Sequence, residues 1–191
     1  SRLAYIEVIN LNPVDFAAAG YIGEPGHREF YIQGSKSGIT KSVLVEKQQL
    51  EHISSEAINF LNVLSNDFGQ EDLATPSDFD NAELIYPIET PFRARSISII
   101  FDELTQYLTL VLRESDLETG NEFDENVQFE NEFSVVKESD IDDKVLRLTM
   151  SRTQMRALAV KGNLSIGQGR ETCQLCFLPK DPTNHICPRM N

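Results

Sequence analysis

Three cysteines and one histidine near the end of the chain have the residue types and spacing of a metal site. The segment contains Cys173-Gln-Leu-Cys176, then eight residues, then His185-Ile-Cys187. A Cys-x-x-Cys turn places two thiolates on one cation, and sulfur and imidazole donors suit tetrahedral zinc. The intervening residues include two prolines, which favour a loop that folds the second pair back onto the first. We therefore predict a Zn²⁺ site with Cys173, Cys176, His185 and Cys187 as its four ligands.

This predicted zinc site is structural, because four protein ligands leave no open position for a water molecule. One alternative is that the thiols are free and reduced. Another is a redox Cys-x-x-Cys motif, which normally lies at the strand–helix junction of a thioredoxin-like unit. A disulfide framework is disfavoured, because the three cysteines are clustered at one end of the chain.

A second group of polar residues lies on a predicted turn between two strand-like runs. The turn is Gly-Glu-Pro-Gly, and it places Glu24, His27 and Arg28 on one tip. His27 would titrate near neutral pH, and Arg28 would bind a carboxylate or a phosphate. The alternative is a simple hairpin tip without a ligand.

The starts of the two predicted helices carry one basic residue each, Lys47 and Arg152. Helix N-termini expose unpaired N–H groups and favour anions. We therefore expect a small anionic ligand near Arg28 and Lys47 and away from the zinc, unless both helix residues only face solvent. Catalysis is disfavoured, because the chain has neither a Gly-x-Ser-x-Gly elbow nor a phosphate loop.

Short runs rich in β-branched and aromatic residues, bounded by Gly and Pro, predict strands. The strands are expected at residues 3–9, 15–22, 28–34, 39–45, 94–101, 106–113 and 144–150, with a hairpin turn at 102–105. Helices are predicted over 46–64, where apolar residues recur at spacings of three and four, and over 151–166. Residues 66–83 are predicted to form a long connection.

The two strand-to-helix passages resemble each other. Glu46–Gln49 aligns with Ser151–Gln154, and the second segment has the pattern of a capping box. The similarity predicts an internal duplication over residues 14–66 and 93–167. The alternative is that any two amphipathic junctions share this pattern.

With or without a duplication, the predicted fold class is α+β, with a mostly antiparallel sheet and two packed helices. We assign residues 1–168 to the core domain and residues 169–191 to a zinc-binding tail. A chain of 191 residues with 40% apolar residues is long enough and apolar enough to bury such a core.

The charge distribution limits the choice of partners. The net charge is −13, and residues 114–143 carry −11 of it. A chain of this charge repels phosphate backbones, so we expect no nucleic-acid partner. We also expect no membrane span and a cytoplasmic location, because apolar runs of about 18 residues and a signal pattern are missing. The acidic segment is expected to be a solvated loop, a docking site for a basic partner or a loose divalent-cation site.

Segments along nearly the whole chain carry a family resemblance. They are GYIGEPGHREFYIQ (20–33), VEKQQLEHI (45–53), TPFRARSISIIFDE (90–103), LRLTMSRTQMRALA (146–159) and the tail (173–191). They resemble an uncharacterised bacterial family of high-GC Gram-positives and Chloroflexi, a domain of unknown function. Its tail usually reads Cys-Pro-x-Cys-Gly, so Gln174 and Phe177 depart from it while all four ligands are kept. The resemblance implies no reaction, although the gene neighbourhood of the family hints at phosphoester metabolism.

We therefore predict a non-catalytic cytoplasmic accessory protein that contacts another protein and carries a structural zinc. The competing hypothesis is an enzyme or a ligand-binding accessory protein that acts on phosphorylated metabolites. Its site would lie near the 23–28 hairpin and the 46–48 helix start. A deep cleft with convergent polar groups would favour this competing hypothesis.

Overall fold

A computed structural model describes residues 6–24, 26–70, 78, 80–89, 92–115, 143–167, 173–176 and 185–190. Within these ranges the chain forms seven strands and two long helices. In chain order they are β1 (Ile6–Leu11), β2 (Phe16–Ile22), β3 (Glu29–Lys36), β4 (Ile39–Val45), α1 (Lys47–Phe68), β5 (Ser96–Phe101), β6 (Leu108–Arg113), β7 (Asp143–Met150) and α2 (Arg152–Gly167).

The strands form two sheets. One sheet has the order β1-β7-β6-β5, with a parallel pair between β1 and β7 and antiparallel pairs elsewhere. The other sheet is the antiparallel meander β2-β3-β4. Gly34 of β3 lies against the Leu148 side chain of β7, so a side chain at position 34 would overlap it. The missing side chain thus allows the two sheets to approach closely.

Backbone hydrogen bonds join the two sheets at two corners. At one corner the Leu44 carbonyl accepts a hydrogen bond from the N–H of Ala94, just before β5. At the other corner the Thr149 carbonyl of β7 accepts a hydrogen bond from the N–H of Val14, just before β2. The first bond satisfies a carbonyl of β4, which is an edge strand of its sheet.

The two helices lie antiparallel and pack against each other. Three contacts run in opposite order along them: Ser54 with Gly162, Asn62 with Arg156, and Gly69 with Arg152. Gly162 has no side chain, and a Cβ atom there would overlap the Ser54 hydroxyl. The helices can therefore cross at short distance at this point.

Both helix starts have capping interactions. In α1 the Gln49 side-chain oxygen accepts a hydrogen bond from the Glu46 N–H at 2.9 Å. In α2 the corresponding bond from the Ser151 N–H to Gln154 measures 3.0 Å, and the Ser151 hydroxyl accepts one from the Gln154 N–H. The capping box predicted for Ser151–Gln154 is confirmed.

Helix α2 lies at the centre of the molecule. It packs on both α1 and β2, and six consecutive residues, 155–160, are buried. Its buried residues include three polar ones, Arg156, Asn163 and Ser165. Arg156 is fully buried and donates to the Asn62 side chain at 3.2 Å. One continuous apolar core joins both helices to both sheets.

The α+β class with mostly antiparallel strands and two packed helices is confirmed. Helix α1 extends to Phe68, beyond the predicted end at residue 64, and the parallel β1–β7 pair was not predicted. Each helix follows a three-stranded antiparallel meander, as a duplication would require, and the duplication itself stays a prediction. Residues 116–142 of the predicted acidic segment 114–143 and the domain boundary at 168–169 lie outside the described residues.

Neither of the two long helices has a stretch apolar enough to cross a membrane.

Candidate metal centre

The four residues of the predicted metal site lie together at the C-terminal end of the described chain. One ligand atom from each of Cys173, Cys176, His185 and Cys187 lies within 4.8 Å of all the others. The three cysteines are free thiols, and their side chains are buried, while His185 is half-buried. This Cys₃His cluster could hold a metal ion.

The distances within the cluster fit a tetrahedral ion. Zinc–sulfur bonds of about 2.3 Å place two sulfur ligands about 3.8 Å apart in a tetrahedral site. The Sγ atoms of Cys173 and Cys187 lie 3.8 Å apart, and Cys176 Sγ lies 3.3 Å from His185 Nε2. A disulfide would require a sulfur–sulfur distance of about 2.05 Å.

The Cys173 thiol is prepared for metal ligation by its surroundings. Burial opposes its ionisation, but the backbone N–H groups of Cys176 and Leu175 donate hydrogen bonds to its sulfur. Together with the neighbouring thiols, these bonds lower the pKa of Cys173 from 9.0 to about 6. The side chain is therefore mostly a thiolate at pH 7, which is the form that binds metal ions.

Arg189 attaches this part of the tail to the core. Its guanidinium donates to the Leu175 carbonyl at 3.2 Å and to the Ser65 hydroxyl of α1 at 3.5 Å. The N–H of Met190 donates to the Cys187 carbonyl, which closes a turn next to the cluster. Arg189 was not predicted as a site residue, although it lies only two residues after the ligand Cys187.

The three residues of the predicted turn site, Glu24, His27 and Arg28, differ in exposure and contacts. The carbonyl of Glu24 accepts a hydrogen bond from the N–H of His27, and both side chains are exposed. Arg28 instead turns towards the protein: its guanidinium lies 4.2 Å from the centre of the Tyr21 ring and donates to the Ser165 carbonyl at 3.4 Å. Arg28 therefore stabilises the C-terminal end of α2.

The structure separates the two predicted basic helix positions. Lys47 is exposed at the start of α1, and the β3–β4 register places Arg28 at the same end of the sheet. Arg152 donates to the Gly69 carbonyl at the opposite end of α1, which is about 33 Å long. Arg28 and Lys47 therefore share one end of the molecule, and Arg152 lies at the other.

The fold and the cluster together define an α+β protein with a Cys₃His cluster that could hold a metal ion. The chain belongs to the family described as protein of unknown function DUF3090, whose model matches residues 9–187. The match includes both long helices and all four residues of the cluster. No curated protein and no solved structure matches the chain.

Proposed function

We propose that the C-terminal tail binds one structural Zn²⁺ and that the protein acts as a non-catalytic accessory protein through contact with another protein. The observation that carries the metal assignment is the convergence of four ligand atoms within 4.8 Å. Three thiolates and one imidazole form a soft donor set, which favours zinc over calcium, magnesium or manganese. The 3.8 Å separation of Cys173 and Cys187 supports the same ion.

The proposed role of the metal is to fold the tail. The buried cysteines form a cluster separate from the main core, and the tail is too short to build an apolar core of its own. A metal ion can supply the missing folding free energy in such a short segment. Since all four coordination positions are protein groups, no position is left for a substrate or an activated water.

Metal analysis of freshly purified protein tests this assignment. We expect native mass spectrometry to show one zinc ion per chain and His185→Gln to lose it, because one of four ligands is removed. His52→Gln is the matched control, since His52 is exposed on α1 and lies outside the cluster. A wild-type protein without metal, or equal metal loss in both variants, would contradict the proposal.

The tail also offers a surface for the proposed protein partner. Three apolar side chains next to the buried ligands are exposed: Leu175 by 50%, Ile186 by 77% and Met190 by 75%. Exposed apolar side chains that come from one short segment are typical of protein contact sites. We also propose a cytoplasmic location, because a reducing compartment keeps the thiols available for the metal.

A triple variant and a control variant test whether this surface binds a partner. Leu175→Ser, Ile186→Ser and Met190→Ser together should reduce capture of a specific partner from the native host while one zinc per chain is retained. Leu104→Ser is the control, because Leu104 is 96% exposed on the β5–β6 turn and distant in sequence from the tail. Equal capture by the wild type and the triple variant would contradict a docking role of the tail.

A further inference from the structure

A cleft lies between β2, the segment 83–86 and the C-terminal half of α2. Its volume is about 400 Å³, which falls in the range of small-molecule sites, about 300–1,000 Å³. Tyr21 and Tyr86 contribute two aromatic rings to its lining, and Ala19, Gly20 and Leu84 contribute apolar surface. Lys161 and Glu83 are its charged lining residues. The cleft is formed by elements other than those of the metal tail.

Buried contacts hold the walls of this cleft in place. The Gln33 side chain, which is fully buried, donates to the Ile85 carbonyl at 3.0 Å and accepts from the Ile85 N–H at 2.8 Å. Gly20 allows Leu84 to lie directly on β2, because a Cβ atom at position 20 would overlap the Leu84 side chain. The segment that carries Leu84 and Tyr86 is therefore fixed to the sheet, and the cleft is preformed.

Arg28 stabilises two other wall residues from outside the cleft. Its guanidinium stacks on the Tyr21 ring and donates to the Ser165 carbonyl. The predicted ligand residue Arg28 is thus a positioning residue for this cleft, since it holds β2 and α2 together at one end.

An ion pair joins the two sides of the cleft. The Lys161 ammonium of α2 binds the Glu83 carboxylate. The Lys161 side chain is only 21% exposed, whereas the Glu83 side chain is 64% exposed. Glu83 can therefore return to water at little cost, but Lys161 needs a replacement anion in the cleft. The Glu83 carboxylate marks where the carboxylate of a ligand would bind.

We propose that this cleft binds a small molecule with a flat ring and a carboxylate. The carboxylate replaces Glu83 on Lys161, and the ring lies against the tyrosines and the apolar floor formed by Leu84. This site is independent of the proposed zinc and protein-contact functions, so its failure would leave them unaffected.

Binding of naphthalene-2-carboxylate to the full chain, followed by amide NMR shifts, tests this proposal. We expect saturable shifts at residues 19–21, 83–86 and 161–165. Lys161→Met should weaken binding about tenfold, which corresponds to the loss of one partly buried ion pair. Glu83→Gln should instead strengthen binding, because the competing carboxylate is removed. Lys41→Met is the matched control and should leave the affinity unchanged, because Lys41 of β4 does not line the cleft.

Two related probes separate the contributions of ring and charge. Naphthalene-2-carboxamide has the same shape without the charge and should bind about tenfold more weakly than the carboxylate. Acetate lacks the ring and should give no saturable shifts in the same concentration range. Absence of binding by the carboxylate, equal affinity for the carboxamide, or an affinity that Glu83→Gln does not raise would overturn the proposal. The Glu83→Gln result remains informative if Lys161→Met fails to fold.

Discussion

The Arg113 guanidinium lies 2.7 Å from the Asp143 carboxylate, at the end of β6 and the start of β7. Their side chains are only 14% and 10% exposed. The same carboxylate accepts hydrogen bonds from the N–H and the hydroxyl of Ser115. These contacts join Arg113 and Ser115 to Asp143. They therefore hold the two ends of the acidic segment 114–143 together at one end of the sheet.

Asp143→Ala should strongly destabilise the protein, because it leaves the Arg113 charge without its carboxylate in a nearly buried position. Loss of one partner of a buried ion pair costs about 3–5 kcal/mol, and the expected decrease in the free energy of unfolding is of this order. Urea unfolding followed by circular dichroism measures it.

The exposed pair Arg93–Glu46 provides the control for this prediction. Both of its side chains are more than half exposed, so Arg93→Met should cost about 0–1 kcal/mol. A similar loss of stability in the two variants would show that burial of the Arg113–Asp143 pair does not determine its contribution.

Most of the fold could be predicted from the sequence, because local patterns determine it. Short runs rich in β-branched and aromatic residues indicated all seven described strands, including β1, which was expected at 3–9 and lies at Ile6–Leu11. The Ser151/Gln154 pattern marked the start of α2. The parallel pairing of β1 with β7 depends on contacts between residues about 137 positions apart, such as Ile6 with Asp143. Local propensity contains no information about such a pair.

The metal cluster was predictable, whereas the cleft was not. Spacing alone singled out the Cys₃His set, since its residues are close in sequence and uncommon. The cleft combines Tyr21, Glu83 and Lys161, whose types are common and whose positions are far apart in the chain. Only tertiary packing brings them together. The contacts of Arg28 could not be predicted for the same reason, because its partner Ser165 lies 137 residues away, and its predicted ligand role stays a prediction.

Gly162→Ala should destabilise the protein although alanine favours helices. A Cβ atom at position 162 would overlap the Ser54 hydroxyl and touch Leu50, so these buried side chains must shift or the helix pair must separate. Overpacking costs about 1–3 kcal/mol, and the helix propensity of alanine returns only about 1 kcal/mol. Thermal unfolding of the variant measures the net decrease in stability.

Removal of the overlapping hydroxyl provides a test of this explanation. The double variant Gly162→Ala/Ser54→Gly should recover stability relative to the variant Gly162→Ala/Ser55→Gly, which keeps the Ser54 side chain and also places one glycine in α1. Equal stability of the two double variants would show that the Ser54–Gly162 contact is not the cause.

Metal retention should decrease as the pH falls. The proposed ion requires thiolates, and the lowered pKa of Cys173, about 6, keeps this ligand deprotonated at neutral pH. Below that value protons compete with the metal for the Cys173 sulfur, so metal retention is complete at neutral pH and is lost in acid. Dialysis against a weak chelator between about pH 7 and about pH 5, followed by elemental analysis, measures the loss. Metal content that is constant over this range would contradict thiolate ligation.

Cys173→Ser should unfold the tail while the core stays folded. The cysteine cluster is separate from the main apolar core, and the described contact with α1 is the Arg189–Ser65 hydrogen bond. We therefore expect hydrogen exchange to become fast at residues 174–176 and 185–190, while amides of β7 and α2 stay protected. The free energy of unfolding of the core should change by about 1 kcal/mol or less.

Leu146→Ala is the contrasting variant. Loss of this fully buried core side chain should cost about 2–5 kcal/mol and leave the metal bound. Loss of protection throughout α2 in Cys173→Ser would show instead that the tail and the core fold as one unit.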